Sequence, residues 1–168
     1  MCLYLVHNID QNDLNKILSD SKLKSSSKTK NVRMYGHSSG SKYIFLRLSQ
    51  KNDYGNLYLD SKLLLENVFY LHTGWHGEPV SEMIDGRKLN IEQLNEILNG
   101  FKKNIQKYYK NQIKKNIPIP LMMSNEILVK NNIDLKKYLI QINMSKFNKK
   151  ISEYVEKNYP NTQIIYPK

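Results

Sequence analysis

The chain has 168 residues, 40% hydrophobic and 24% charged, which is the composition of one globular domain over residues 1–168 and excludes a wholly disordered chain. Lys and Arg number 26 against 15 acids, a formal net charge of +11, so anionic partners are favoured: nucleic acid, nucleotides or an acidic membrane surface. The one cysteine, Cys2, forms no internal disulfide. The opening CLYLV run is too short for a signal segment, and no apolar run approaches a membrane span. A soluble, intracellular protein is expected.

Leu3 to His7 is apolar and β-prone and predicts a first strand. Asp10 stands where its carboxylate can accept from the free N–H groups of a helix running from Gln11 to about Ser21. Ile9 and Leu14 occupy the two positions of a hydrophobic staple, and Leu14, Ile17 and Leu18 form the helix's apolar face. Ser25 to Ser27 and His37 to Ser41 read as polar loops, with a short extended piece from Val32 to Tyr35 between them. Tyr43 to Ser49 predicts a strand. Residues 52–60, with Asp53, Gly55 and Asn56, read as turn. Val68 to His72 predicts another strand, and Gly74, Gly77 and Pro79 break regular structure around Trp75 and His76.

Asn90 and Gln93 have the spacing of a capping box, and Ile91, Leu94, Ile97, Leu98, Phe101, Ile105 and Tyr108 keep a helical period. Glu92 near the start of this helix and Lys114 and Lys115 near its end suit the helix dipole. Ile117-Pro118-Ile119-Pro120 stops it. Glu126 to Val129 and Tyr138 to Ile142 predict strands joined through Asp134. Ser145 is expected to cap a helix carrying Phe147, Ile151, Tyr154 and Val155, and Gln163 to Tyr166 predicts a last strand. This order predicts an α+β fold, a mixed β core with flanking helices, rather than regular βαβ alternation.

No glycine-rich phosphate loop joins a strand to a helix, which removes Rossmann and P-loop readings. His72 and His76 are four apart but span Gly74 and Gly77, so helical metal-ligand geometry is not expected, and no metal is assigned.

Three segments carry chemistry together: Leu3 to His7 with the Leu14, Ile17, Leu18 helix and Leu23-Lys24-Ser25; the Tyr43 to Ser49 strand; and Glu126-Ile127-Leu128-Val129 followed by Ile133-Asp134-Leu135. In this order and spacing they resemble the ADP-ribosyltransferase superfamily, most closely its DarT-type branch, which modifies nucleic acid. The resemblance covers about residues 3–49 and 122–166. It implies an ADP-ribosyltransferase-like fold, NAD as co-substrate, and dissociative cleavage of the nicotinamide–ribose bond. Such a reaction needs negative charge beside a developing oxocarbenium-like ribose. The resemblance implies Glu126 as the catalytic carboxylate, with Arg33 as a second catalytic group. It implies His7 as an NAD contact and Tyr43 as the aromatic packed on nicotinamide. Ser49 is what remains of a serine-containing strand found in another branch, and is carried as a cofactor contact. Ser124 stands two residues before Glu126, where many relatives have Gln or Glu, which argues against arginine-directed protein modification.

The lysines cluster. From Ser21 to Asn52 there are eight basic residues and no acid, and from Phe101 to Pro118 six lysines and no acid. Lys28, Lys30, Lys42, Lys107 and Lys110 are accordingly expected to contact nucleic acid, with Tyr35, Tyr43, Tyr108 and Tyr109 among them as stacking platforms. Two alternatives remain open from sequence. One is a non-catalytic nucleic-acid-binding module on the same fold. The other is an RNA 2′-phosphotransferase-like enzyme, for which only His7 and Arg33 supply the paired groups.

Overall fold

The structure is a computed structural model that describes residues 4–25, 28, 42–49, 56–72, 82–115 and 126–166. Outside these lie Lys30, Arg33, Trp75, His76, Ser124, the extended piece expected at 32–35 and the helix stop expected at 117–120.

Strand β1, Tyr4–His7, leads into a short 3-10 turn and helix α1, Leu14–Asp20. The Asp10 side chain accepts from the Asn12 N–H, as the capping pattern predicts. Ser21 ends α1 in the left-handed region at φ 54°, and strand β2, Lys22–Leu23, follows. Strands β3, Ile44–Ser49, and β5, Val68–His72, match the two strands expected from sequence. Between them the chain departs from expectation. Leu57–Asp60, read as turn, is strand β4, and its Leu57, Tyr58 and Leu59 are all buried. Asp53 and Gly55 lie outside the described residues, and the strand that follows Asn56 is only four residues long, too short to show an alternation of its own.

Strand β6, Ile84–Asp85, leads to helix α2, Ile91–Lys114. The capping box is reciprocal: the Gln93 N–H donates to Asn90 Oδ1 at 2.9 Å, and the Asn90 N–H donates to Gln93 Oε1 at 3.0 Å. Strands β7, Glu126–Val129, and β8, Ile133–Asp134, come next. Helix α3, Leu135–Tyr138, and strand β9, Leu139–Asn143, follow them. Helix α4, Lys149–Asn158, is capped by Asn148, whose side chain accepts from the Ile151 N–H, and not by Ser145. The Ser145 hydroxyl instead donates to Gln11 Oε1, and Phe147 lies before the helix, 69% exposed. Strand β10, Gln163–Ile165, ends the fold.

Eight strands form one sheet in the order β10-β9-β4-β1-β3-β7-β5-β6, with β2 and β8 as a separate ribbon. Every pair is antiparallel except β10 with β9. Directly paired residues of antiparallel strands point to the same side, so the registers sort the side chains. On one face Leu5 pairs with Leu48 and Leu59, Leu46 with Ile127, Ile127 with Leu71, and Val129 with Ile44 and Phe69. This is the core face. Leu14 and Leu18 of α1, Leu94, Leu98, Phe101 and Ile105 of α2, Leu135 and Tyr138 of α3, and Ile151 and Val155 of α4 all join its cluster. The described helices thus bury their apolar faces on one side of the sheet, giving a mixed α+β fold with a mostly antiparallel sheet.

Gly86 fixes how the β6 turn meets the 3-10 turn Ser61–Glu66. Its N–H donates to the Asn67 carbonyl at 2.9 Å, and a Cβ there would stand 1.7 Å from the Leu64 carbonyl oxygen. Backbone on both sides must move to admit a methyl group. Gly86→Ala is expected to cost about 3 kcal/mol of folding stability, read as a shift of the urea midpoint at unchanged slope. A variant as stable as the wild type would refute this close packing.

Candidate functional site

The opposite face of the sheet has a different composition. Val6, Arg47 and Glu126 stand in one row across β1, β3 and β7, and Tyr58 of β4 and His72 of β5 extend it at either end. Phe45, Leu128 and Tyr70 form a parallel row. Val6, Tyr58 and Leu128 are nearly fully buried, yet none belongs to the core cluster. Among the described residues this second face carries rings, Arg47 and the acids Glu126 and Asp60, the latter paired with Tyr4. Tyr4 meets Tyr58 edge to face with centroids 6.1 Å apart, and Tyr43 meets Tyr70 in the same way at 5.5 Å. The Tyr58 hydroxyl accepts from Asn143 Nδ2 at 3.3 Å. The hydrogen bond with Tyr43 is the largest cause holding the Tyr70 phenol above its ordinary pKa.

Glu126 opens β7 half-buried, directly across from Arg47. Cross-strand partners have Cβ atoms about 5 Å apart, so the two groups of opposite charge share one patch. Sequence reasoning did not single out Arg47. The signal was present: in the stretch Tyr43 to Ser49, alternation puts Ile44, Leu46 and Leu48 on one side and Tyr43, Phe45 and Arg47 on the other. Read that way, Arg47 belongs with the aromatic residues.

The structure does not bring His7 onto this face. His7 pairs with Leu57, a fully buried core residue, so its position alternates with Val6 and falls on the core side. Its Nδ1 lies 2.8 Å from the Phe45 carbonyl oxygen. A carbonyl only accepts, so Nδ1 carries the proton and Nε2 is the acceptor of the neutral ring. Burial pushes the His7 pKa below its ordinary value, partly countered by this hydrogen bond. The β1 and β7 strands that carry His7 and Glu126 are separated by β3 alone, yet the two side chains leave the sheet in opposite directions.

Of the remaining candidates, Tyr43 packs on Tyr70 at the second face, and Ser49 is the strand partner of Tyr4. Lys28 is exposed and donates to Asn132 Oδ1 at 3.0 Å, and Lys42 is exposed before β3. Lys107 and Lys110 are exposed on α2. With Lys103 and Lys114 they follow the spacing of a single stripe, opposite the buried Leu94, Leu98, Phe101 and Ile105. Among the described residues no three His, Cys, Asp or Glu side chains gather as a metal site, and no helix is long and apolar enough to cross a membrane.

No protein-family model, no curated protein and no solved structure matches the chain.

The histidine has a consequence for stability. With its native pKa below the unfolded value, the unfolded chain binds more protons between the two values. Stability is therefore full above about pH 6.5 and falls as pH drops toward the native pKa. The slope of unfolding free energy against pH over this window is expected to flatten in His7→Gln. An unchanged slope in that variant would mean that His7 is not held neutral by the fold.

Proposed function

We propose that this protein is an NAD-consuming ADP-ribosyltransferase acting on nucleic acid. The observation that carries the reading is Glu126. It opens a strand in the interior of the sheet, half-buried, on a face lined by Tyr4, Phe45, Tyr43, Tyr58 and Tyr70 and shared with Arg47. A carboxylate held there by the sheet suits hydrogen bonding to a ribose hydroxyl and stabilisation of positive charge on the ribose. The rings suit the flat faces of nicotinamide and adenine. NAD, when bound, supplies the electrophilic ribose carbon. The protein's share is to orient that carbon, hold negative charge beside it and exclude water.

In this reading Glu126 stabilises the ribose as the nicotinamide bond breaks. Tyr43 and Tyr70 form an aromatic wall that reaches from the start of β3 across β7 to β5. His7 supports the sheet from the core side through Phe45 rather than touching the dinucleotide. This differs from what the family resemblance implies for the histidine, and it leaves Glu126 as the resemblance-based residue on which the chemistry rests. Glu126→Gln is expected to lower NAD turnover by about 100-fold or more while leaving the fold intact, measured by transfer of labelled ADP-ribose to DNA, RNA and protein acceptors. Full activity in that variant would remove the carboxylate from the mechanism.

A second reading has its own observation, the Lys103, Lys107, Lys110 and Lys114 stripe. A basic helix face suits a nucleic-acid backbone, with or without chemistry at Glu126. Replacing Lys107 and Lys110 by Gln is expected to weaken oligonucleotide binding and to reduce the slope of log affinity against log salt by about 2. If neither quantity moves, the stripe is a solvated helix face. Undetectable NAD consumption together with salt-dependent binding would favour the binding module over the transferase.

A further inference from the structure

Arg47 carries a recognition edge made of two buried donors. Its Nε and Nη2 atoms are buried, and no acceptor meets either one among the described residues. These two nitrogens form one side of the guanidinium, where two N–H bonds point the same way and match two oxygens of one oxyanion. The protein contains the filled version for comparison. At Arg87 the same edge is occupied by Asp85, Nε to Oδ1 at 2.7 Å and Nη2 to Oδ2 at 3.0 Å. There the pair is exposed and worth little to stability. At Arg47 the edge is desolvated with no partner among the described residues, which is costly for a cation and rare in folded proteins.

Placement narrows the ligand. Arg47 stands in the middle of the second face, between Val6 and Glu126, with the part-exposed rings of Phe45 two residues along its own strand and Tyr70 two strands away. An anion reaching this edge is therefore carried by a molecule whose other parts are flat enough to lie against rings. Glu126 across the strand gap disfavours a lone small anion and favours one attached to groups that hydrogen-bond a carboxylate, such as sugar hydroxyls.

We infer that the Nε–Nη2 edge of Arg47 binds a phosphate group of a nucleotide bidentately, on the ring-lined face of the sheet. The inference goes beyond the proposed function, because it holds whether or not NAD is cleaved. Arg47 is a binding residue here, acting by charge and by the fixed direction of its two donors.

The test is calorimetric titration of the full chain with inorganic pyrophosphate, with ADP, with adenosine and with a short single-stranded oligonucleotide, at physiological ionic strength. The proteins are the wild type, Arg47→Met, Arg47→Lys and Glu126→Gln. Pyrophosphate and ADP are expected to bind the wild type and to bind Arg47→Met about tenfold to a hundredfold more weakly, the loss of one charge-assisted contact. Arg47→Lys should fall between them, since it keeps the charge and loses the fork. Glu126→Gln should bind pyrophosphate at least as tightly as the wild type, because a negative charge beside the edge is removed, so loss of turnover there is separable from loss of the phosphate site. Without ligand, Arg47→Met should melt at or above the wild-type temperature, because it removes two buried donors that meet no acceptor among the described residues. Equal pyrophosphate affinity in wild type and Arg47→Met would overturn the inference and assign binding to surface lysines. A clearly lower melting temperature for ligand-free Arg47→Met would overturn it too, since the edge would then have a partner within the protein. Dependence on Arg47 for the oligonucleotide but not for pyrophosphate or ADP would replace the nucleotide with a nucleic-acid backbone.

Discussion

The register of β3 between β1 and β7 is the constraint on which the rest of this molecule depends. Val6, Arg47 and Glu126 are aligned residue for residue, and so are His7's neighbours on the other side of the pleat. A slip of one residue in β3 would send Arg47 into the leucine cluster and Leu46 out of it, because side chains alternate with a period of two. Burying a guanidinium among Leu5, Leu59 and Ile127 without a partner would cost several kcal/mol, and exposing Leu46 and Leu48 would forfeit about 2 kcal/mol each. The apolar alternation therefore sets the register, and the register in turn sets which polar groups meet. The site is a by-product of core packing in this sense: no contact between Arg47 and Glu126 is needed to put them side by side.

Much of the local structure was legible because it is encoded by short-range chemistry. The Asn90–Gln93 box, the Asp10 cap and the apolar period of α2 each involve residues within a turn of one another. The strands Ile44–Ser49, Val68–His72 and Glu126–Val129 announce themselves by β-prone runs. What failed was non-local. Strand β4 is four residues long, and only its pairing with β1 and β9 makes it a strand. The cap of α4 moved from Ser145 to Asn148 because the Ser145 hydroxyl is engaged with Gln11, 134 residues away in sequence. No window of sequence contains that partner.

The candidate site was legible in a lopsided way. Glu126 at the head of an apolar strand and Tyr43 at the head of another were visible as residue types in suggestive places. The separation of His7 from Glu126 by the plane of the sheet was not, because it depends on the parity of two strands relative to a third. Sequence order fixes parity within a strand but says nothing of the register between strands. Arg47 was hidden for the opposite reason. A charged residue alternating within an apolar strand is usually solvent-facing, and only its burial at Nε and Nη2 distinguishes it from that ordinary case.

The two faces also divide the energetic labour. The core face carries the leucines, the helices and the dense packing, and it tolerates little change. The second face holds rings, charges of both signs and hydrogen-bonding groups, an arrangement that contributes less to folding and more to recognition. A sequence selected only for stability would have filled position 47 with an apolar residue, since buried donors without an acceptor weaken the fold. Local departures from good packing and polar pairing concentrate where a protein binds or reacts. The sheet's departure from those rules falls at Arg47, directly beside the carboxylate proposed to carry the chemistry, and the two together place the proposed nucleotide on this face rather than beside the histidine on the core side.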